Sequence, residues 1–278
     1  MKNFFLLISS LISVTLHAQY YFNDLVSARE ITRQMKSYID NKVSKVTAKG
    51  FDQRGEPILV FSETHEVLDN GKMLKISSRN PIPSVTTYRF DDSGNLVSAT
   101  DSSSDVVSTT IYFHDSNNRV SLVKNSLRDM ANDFNQEETH SWSYSTQGQP
   151  LKMIRTINNS DSLEIMFGPD DNGNPGEERT FRRNRETGIV YYYFDEKNRL
   201  TDIVRFNKKA NRLLPDYMFE YDEQDRVIQK ITTTTSQNLG YLIWRYVFNE
   251  KGLKTKEALF DKEKQMTGKI EYTYSFNQ

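Results

Sequence analysis

Apolar and polar positions alternate over most of the chain, and the alternating runs keep ending in the same way. YYYFDEKNRL at Tyr191–Leu200 has close relatives at Tyr88–Leu96, Met218–Val227 and Arg245–Leu253. Each run ends on an aromatic anchor, and seven anchors have a second large apolar residue two positions earlier: Tyr88, Ile111, Trp142, Ile165, Tyr192, Phe219 and Tyr246. Period-two spacing places both side chains on one face of a strand. Polar turn residues follow, as in Asp195-Glu196-Lys197-Asn198 and Asp222-Glu223-Gln224-Asp225. Asp bonds its own backbone to start a turn, and Gly or Asn tolerates the positive φ that closes it. An aliphatic then resumes the chain, at Leu96, Val120, Leu151, Leu200, Val227 or Leu253. The unit is therefore a β-hairpin.

Anchors placed at Phe51, Phe90, Phe113, Tyr144, Phe167, Phe194, Tyr221 and Phe248 make eight units, the last three spaced by 27 residues, with a half-copy at Tyr272–Phe276. Polar stretches at 101–105, 158–161, 183–188, 236–240 and 261–268 mark the turns between units. Two strands per unit predict an antiparallel meander of roughly sixteen strands, roughly 75 Å wide if flat. A sheet of that width has to hide its aromatic face, and strand twist makes curling the cheapest solution. The expected fold is all-β: repeated hairpins curling into an open spiral, shell or barrel-like sheet, with a short N-terminal helix. That helix is expected from an Asn23 or Asp24 cap through about Asp40, with Leu25, Ile31, Met35 and Tyr38 on one stripe. Its expected role is to cover the open edge of the first strand.

Composition supports a β-rich exported protein. Of 278 residues, 36% are hydrophobic and 26% charged, but 15 Tyr and 16 Phe offset the shortage of aliphatics. With 36 basic and 37 acidic residues there is no basic block that would attract nucleic acid. Residues 1–18 resemble a signal peptide: Lys2, an apolar run from Phe4 to Leu16, then Ala18 before Gln19. The run is too short to span a bilayer as a helix, so no transmembrane helix is expected after cleavage. The expected division is a signal peptide at 1–18, a helical cap at 19–48 and a repeat domain at 49–278. The chain has no cysteine, which excludes disulfides, thiolate metal sites and a cysteine nucleophile.

The recurring aromatic-x-Phe/Tyr-Asp-x-x-Gly/Asn-Asn/Arg-Leu pattern resembles the YD repeat, also called the RHS repeat. It is clearest at Tyr88–Leu96, Tyr192–Leu200 and Phe219–Val227, where Tyr221-Asp222 is the Tyr-Asp pair itself. The resemblance covers most of residues 50–276 in degenerate form. It implies hairpin strips that spiral into shells in exported bacterial proteins. The C-terminal toxin of many such proteins is not carried over, because the repeats here run to within a few residues of Gln278.

Signals for chemistry are sparse. His65, His114 and His140 are far apart in sequence, and His114 is read as a turn residue. Nucleophile-elbow, P-loop and dinucleotide motifs are absent from the sequence. The run Asp170, Asp171, Asn172 and Asn174, followed by Glu177 and Glu178, is a weak calcium candidate, set against the ordinary use of these residues in turns. Paired carboxylates at Asp91/Asp92, Asp195/Glu196 and Asp222/Glu223 could suit a glycosidase, but they recur in unit after unit, as turn residues do. Tyr191, Tyr193 and Trp244 are the candidates for stacking against a ligand. The sequence thus predicts a non-catalytic β-repeat protein, with no cofactor and no catalytic residues, that binds or scaffolds at the cell envelope, periplasmic, cell-surface or secreted. A glycan or protein is the expected partner. The alternatives are a glycan-processing enzyme using turn carboxylates and an outer-membrane-associated barrel.

Overall fold

A computed structural model describes residues 19–207, 210–233 and 240–277. The expected signal peptide at 1–18 and most of the turn at 236–240 lie outside the described residues. Eighteen strands form one sheet. They are β1 (Val43–Asp52), β2 (Ser62–Leu68), β3 (Met73–Arg79), β4 (Pro83–Phe90), β5 (Leu96–Ser103) and β6 (Val106–His114). Next come β7 (Val120–Asp129), β8 (Phe134–Tyr144), β9 (Pro150–Ile157), β10 (Asp161–Pro169), β11 (Pro175–Arg182) and β12 (Arg185–Phe194). The last six are β13 (Leu200–Asn207), β14 (Arg212–Tyr221), β15 (Val227–Thr233), β16 (Tyr241–Phe248), β17 (Lys254–Phe260) and β18 (Met266–Phe276).

Each strand pairs antiparallel with the next, and β18 pairs back onto β1 from Val43↔Phe276 to Asp52↔Gly268. The meander is therefore a closed barrel, and closure leaves the sheet without an open edge. Eighteen strands, not sixteen, follow from two features of the sequence. The 39 residues between Phe51 and Phe90 hold one strand more than a regular unit, and the terminal half-copy supplies β18. The extra strand reverses parity. The Asp52 turn therefore sits at the opposite end of the barrel from the seven turns that follow β4, β6, β8, β10, β12, β14 and β16.

Two anchors move by one or two places. Phe113 and Ile111 point outward and are 43% and 40% exposed, while Tyr112 packs inside. The turn there begins at Asp115, so His114 is the last residue of β6 and not a turn residue. The turn beyond Phe167 likewise begins at Asp170, after Pro169. All seven of these strands slip by one residue just before the turn, for example between Tyr193 and Phe194 or between Gly168 and Pro169. Such bulges sharpen the twist that closes a barrel.

The N-terminal segment does not cover an edge; it lies inside the barrel. A π-helical turn, Tyr21–Val26, continues into α1, Ser27–Asp40, without a side-chain cap. Asp24 is buried and bonded elsewhere, so neither Asn23 nor Asp24 starts the helix as expected. Tyr21 and Phe22 pack with Val123, Trp142, Met153, Ile165, Tyr192 and Phe219, from β7 to β14. Ala28, Met35 and Tyr38 pack with Val43, Val46, Leu74, Phe90 and Leu96, on β1 and β3–β5. Strands on opposite walls thus touch the two ends of one helix. A third cluster, Ala48, Phe61, Leu259 and Ile270, lies at the far end, where Phe61 packs so closely on Gly50 that a Cβ there would sit 2.7 Å from its ring.

Candidate functional site

The candidate carboxylates are spent on turns. Asp195 Oδ1 accepts the backbone N–H groups of Lys197 and Arg199 at 2.9 and 3.0 Å, and Arg199 Nε donates to Oδ2 at 2.7 Å. Asp91, Asp115, Asp170 and Asp222 accept in the same i+2 and i+4 pattern, as do Ser145 and Asn249. Burial works against the charged forms of Asp91, Asp195 and Asp222, but these hydrogen bonds outweigh it and hold the carboxyls below their usual range. A glycosidase general acid needs the opposite shift. In the calcium candidate, Asp170 accepts from the Asn172 and Asn174 backbone and from Asn174 Nδ2, while Asn172 and Asp171 stay on the exposed turn. No group of three or more potential metal-ligating side chains occurs among the described residues.

These turns also lock successive hairpins together. Arg199 lies 4.8 Å from the Tyr221 ring centroid, and Tyr221 donates its hydroxyl hydrogen to the Leu200 carbonyl at 2.7 Å. Arg119 and Tyr144 repeat the arrangement at 4.7 Å, with Tyr144 donating to Val120 O at 2.6 Å. Arg226 lies over Phe248 in the same way. Each cation stacks on the ring of the next unit, a contact with both charge and area behind it.

Inside, two histidines scattered in sequence become the polar anchors of the helix. His140 Nδ1 donates to Asp24 Oδ2 at 2.7 Å, and its Nε2 donates to Glu138 Oε1 at 2.6 Å. Trp142 Nε1 also donates to Asp24, at 3.0 Å, and Arg155 holds Glu138 with two hydrogen bonds. Burial alone would lower the His140 pKa, but the two carboxylates push it up to about 9. The same partners, His140 and Arg155, outweigh burial at Glu138 and hold it at about 2. Glu178 accepts the backbone N–H groups of Tyr20 and Tyr21 and the Tyr192 hydroxyl, yet full burial pushes its carboxyl up to about 7. On the other wall, Tyr38 bonds His65 Nδ1, whose Nε2 bonds Glu63, both at 2.9 Å. Sequence reading missed these clusters because their partners lie as far as 158 residues apart. The only local signal is a His with Glu two residues before it, at Glu63/His65 and Glu138/His140.

The stacking candidates are divided between the two faces. Tyr191 pairs with Val204 and Tyr193 with Asp202 on the outer wall, where Tyr193 is 47% exposed. Trp244 faces inward and packs with the Leu259 cluster. Exposed apolar side chains on the outside of β12–β16 include Tyr193, Phe206, Met218, Tyr241 and Val247, and others stand on β6 and β10, at Ile111, Phe113 and Met166. Met218, Ile231, Tyr241 and Ile243 line a concavity of about 470 Å³ there, with Glu220, Gln229 and Arg245 among its polar lining. Over much of the remaining outer wall, mid-strand positions carry charges and their pairs, such as Lys152–Glu164 and Lys269–Glu271.

No protein-family model matches the chain, and no curated protein matches it. Among solved structures, it is similar to a porin-like protein from Bacteroides uniformis at 15% identity, over 84% of this chain and 98% of that one, with a TM-score of 0.37. A porin-like protein from Bacteroides vulgatus is similar at 12% identity over 84% and 98%, with a TM-score of 0.30. The Tc holotoxin pore of Photorhabdus luminescens is similar at 13% identity and a TM-score of 0.34, over 78% of this chain and 12% of that one. The chain thus spans about an eighth of the toxin chain it matches.

Proposed function

We propose that the protein is an exported, non-catalytic barrel that binds a glycan at the cell envelope along the outer face of β12–β16. The observation that carries this reading is the outer concavity, lined by Tyr241 and aliphatic side chains and set beside the exposed Tyr193. Aromatic faces stack on sugars, and Asp202, Glu220, Gln229 and Arg245 supply hydrogen-bonding groups on the same surface. The turn carboxylates, consumed by backbone N–H groups and held low in pKa, support a binding role over a hydrolytic one.

A glycan array probed with purified residues 19–278 and with a Tyr193→Ser/Tyr241→Ser variant tests the reading. Saturable capture of one polysaccharide by the parent, lost in the variant, is the expected result. A folded parent that captures no glycan, or a variant that captures it equally well, overturns it. A second reading, a barrel embedded in an outer membrane, draws on the closed antiparallel meander. Outward ion pairs at mid-strand oppose it, since charge at the bilayer midplane costs about 2–4 kcal/mol for each Lys or Arg. Flotation with lipid vesicles separates the two readings.

A further inference from the structure

A closed barrel of eighteen strands with ordinary tilt is about 35 Å across between strand axes if circular, whereas an α-helix with its side chains is about 10–12 Å wide. One helix cannot fill such an interior. The face of α1 opposite Ala28, Met35 and Tyr38 shows what occupies the rest. Arg29, Glu30 and Arg33 are exposed to solvent although strands surround the helix. Glu30 is nevertheless crowded by protein. Burial raises its carboxyl pKa against the pull of Lys230, Arg33 and Arg29, and burial lowers the pKa of Lys230. Lys230 pairs in register with Phe219, which packs in the interior, so it faces the lumen from β15. Open to water yet enclosed by protein is the signature of a group lining a hydrated lumen.

The charges in this space are unbalanced. Glu257 is taken by Lys254 at 2.6 Å. Glu30 faces three cations, and of these Arg29 and Arg33 make no hydrogen bond or ion pair among the described residues. They stand one helical turn apart, so their side chains neighbour each other at about 5–6 Å between Cβ atoms, a like-charged pair that costs stability unless something anionic joins it. The nearby walls are Tyr144 for Arg29 and Tyr221 for Arg33, the last residues of β8 and β14. The space therefore adjoins the turn-bearing rim, where a ligand can enter from solvent. Two guanidinium groups borne one helical turn apart suit carboxylates, which a planar guanidinium can grip through paired hydrogen bonds.

We propose that Arg29 and Arg33 form a binding site inside the barrel for a carboxylate-bearing ligand, either a small free polycarboxylate or the uronate end of an acidic saccharide. This site is separate from the outer concavity and does not depend on it. The test is isothermal titration of residues 19–278 with citrate, trigalacturonate and neutral maltotriose, repeated with Arg29→Gln/Arg33→Gln. Lys36→Gln, which removes an exposed cation already paired with Asp40, is the control. Neither arginine has a hydrogen bond or ion pair to lose among the described residues, and Lys230 still faces Glu30, so the double variant is expected to keep the parent's circular dichroism and melting temperature. The expected result is saturable binding of citrate or trigalacturonate, weakened at least tenfold in the double variant and unchanged in the control. A tighter trigalacturonate complex points to the saccharide, a tighter citrate complex to the free acid. No saturable binding of either carboxylate, equal binding of maltotriose, or parent affinity in the double variant overturns the proposal.

Discussion

The side chain of Asp222 shows how one residue type builds both a turn and a repeat. Its Oδ1 satisfies the N–H groups of Gln224 and Arg226, and its Oδ2 fixes Arg226 over the Phe248 ring of the next hairpin. Asp222→Ala leaves those N–H groups to water on an exposed turn, so the expected loss is about 1 kcal/mol in a urea melt. Glu223→Ala, one residue on, is expected to stay within about 0.5 kcal/mol of the parent. The turn chemistry was legible in the sequence because Asp, Asn and Gly act within five residues of one another. Its exact start was not legible at Phe113 or Phe167, where His114 in one case and Gly168-Pro169 in the other stand between the aromatic residue and the turn. At Phe219 the expectation and the structure agree. The ring is buried against Phe22 and Tyr217, and Phe219→Ala is expected to cost about 3–5 kcal/mol, checked by equilibrium denaturation.

At the scale of the element, the N-terminal helix is the part the sequence described least well. Its amphipathic stripe was visible, but nothing local says that the polar side also faces protein. That depends on closure, a property of β1 meeting β18 more than two hundred residues later. The helix is consequently held by ion pairs as well as by apolar contacts, and pH should act on it with a definite sign. His140 is raised to about 9 from 6.5, so its contribution is complete below pH 6.5 and is lost as pH rises through 9. Glu178 is raised to about 7 from 4.5, so its contribution is complete below 4.5 and fades as pH rises through 7. Glu138, lowered to about 2, contributes above 4.5 and loses that contribution as pH falls through 2. Glu178 therefore makes stability decline between about pH 4.5 and 7, and His140 extends the decline from pH 6.5 to about 9, both read as the melting temperature. His140→Gln is expected to flatten the upper part of that decline. An equally steep decline in the variant would place its source elsewhere.

At the scale of the molecule, a meander that ends where it began is a different object from an open spiral, although both present the same hairpins. Hairpins were readable from period-two spacing and turn residues. Closure was not, because it depends on strand count and accumulated twist, and the strand count itself hinged on one irregular gap between Phe51 and Phe90. Closure encloses the helix, places Arg29 and Arg33 within the ring of strands, and bends the outer wall that carries the concavity. Those features depend on the seam between β1 and β18, and the absence of native cysteines makes that seam directly testable. Thr47 and Thr273 are paired across it. The most direct measurement is disulfide formation in a Thr47→Cys/Thr273→Cys variant under mild oxidation, followed by mass spectrometry on the monomer. A closed barrel predicts rapid intramolecular cross-linking with an unchanged circular dichroism spectrum. A folded monomer that keeps both thiols free would show that the first and last strands do not meet, and would contradict the account.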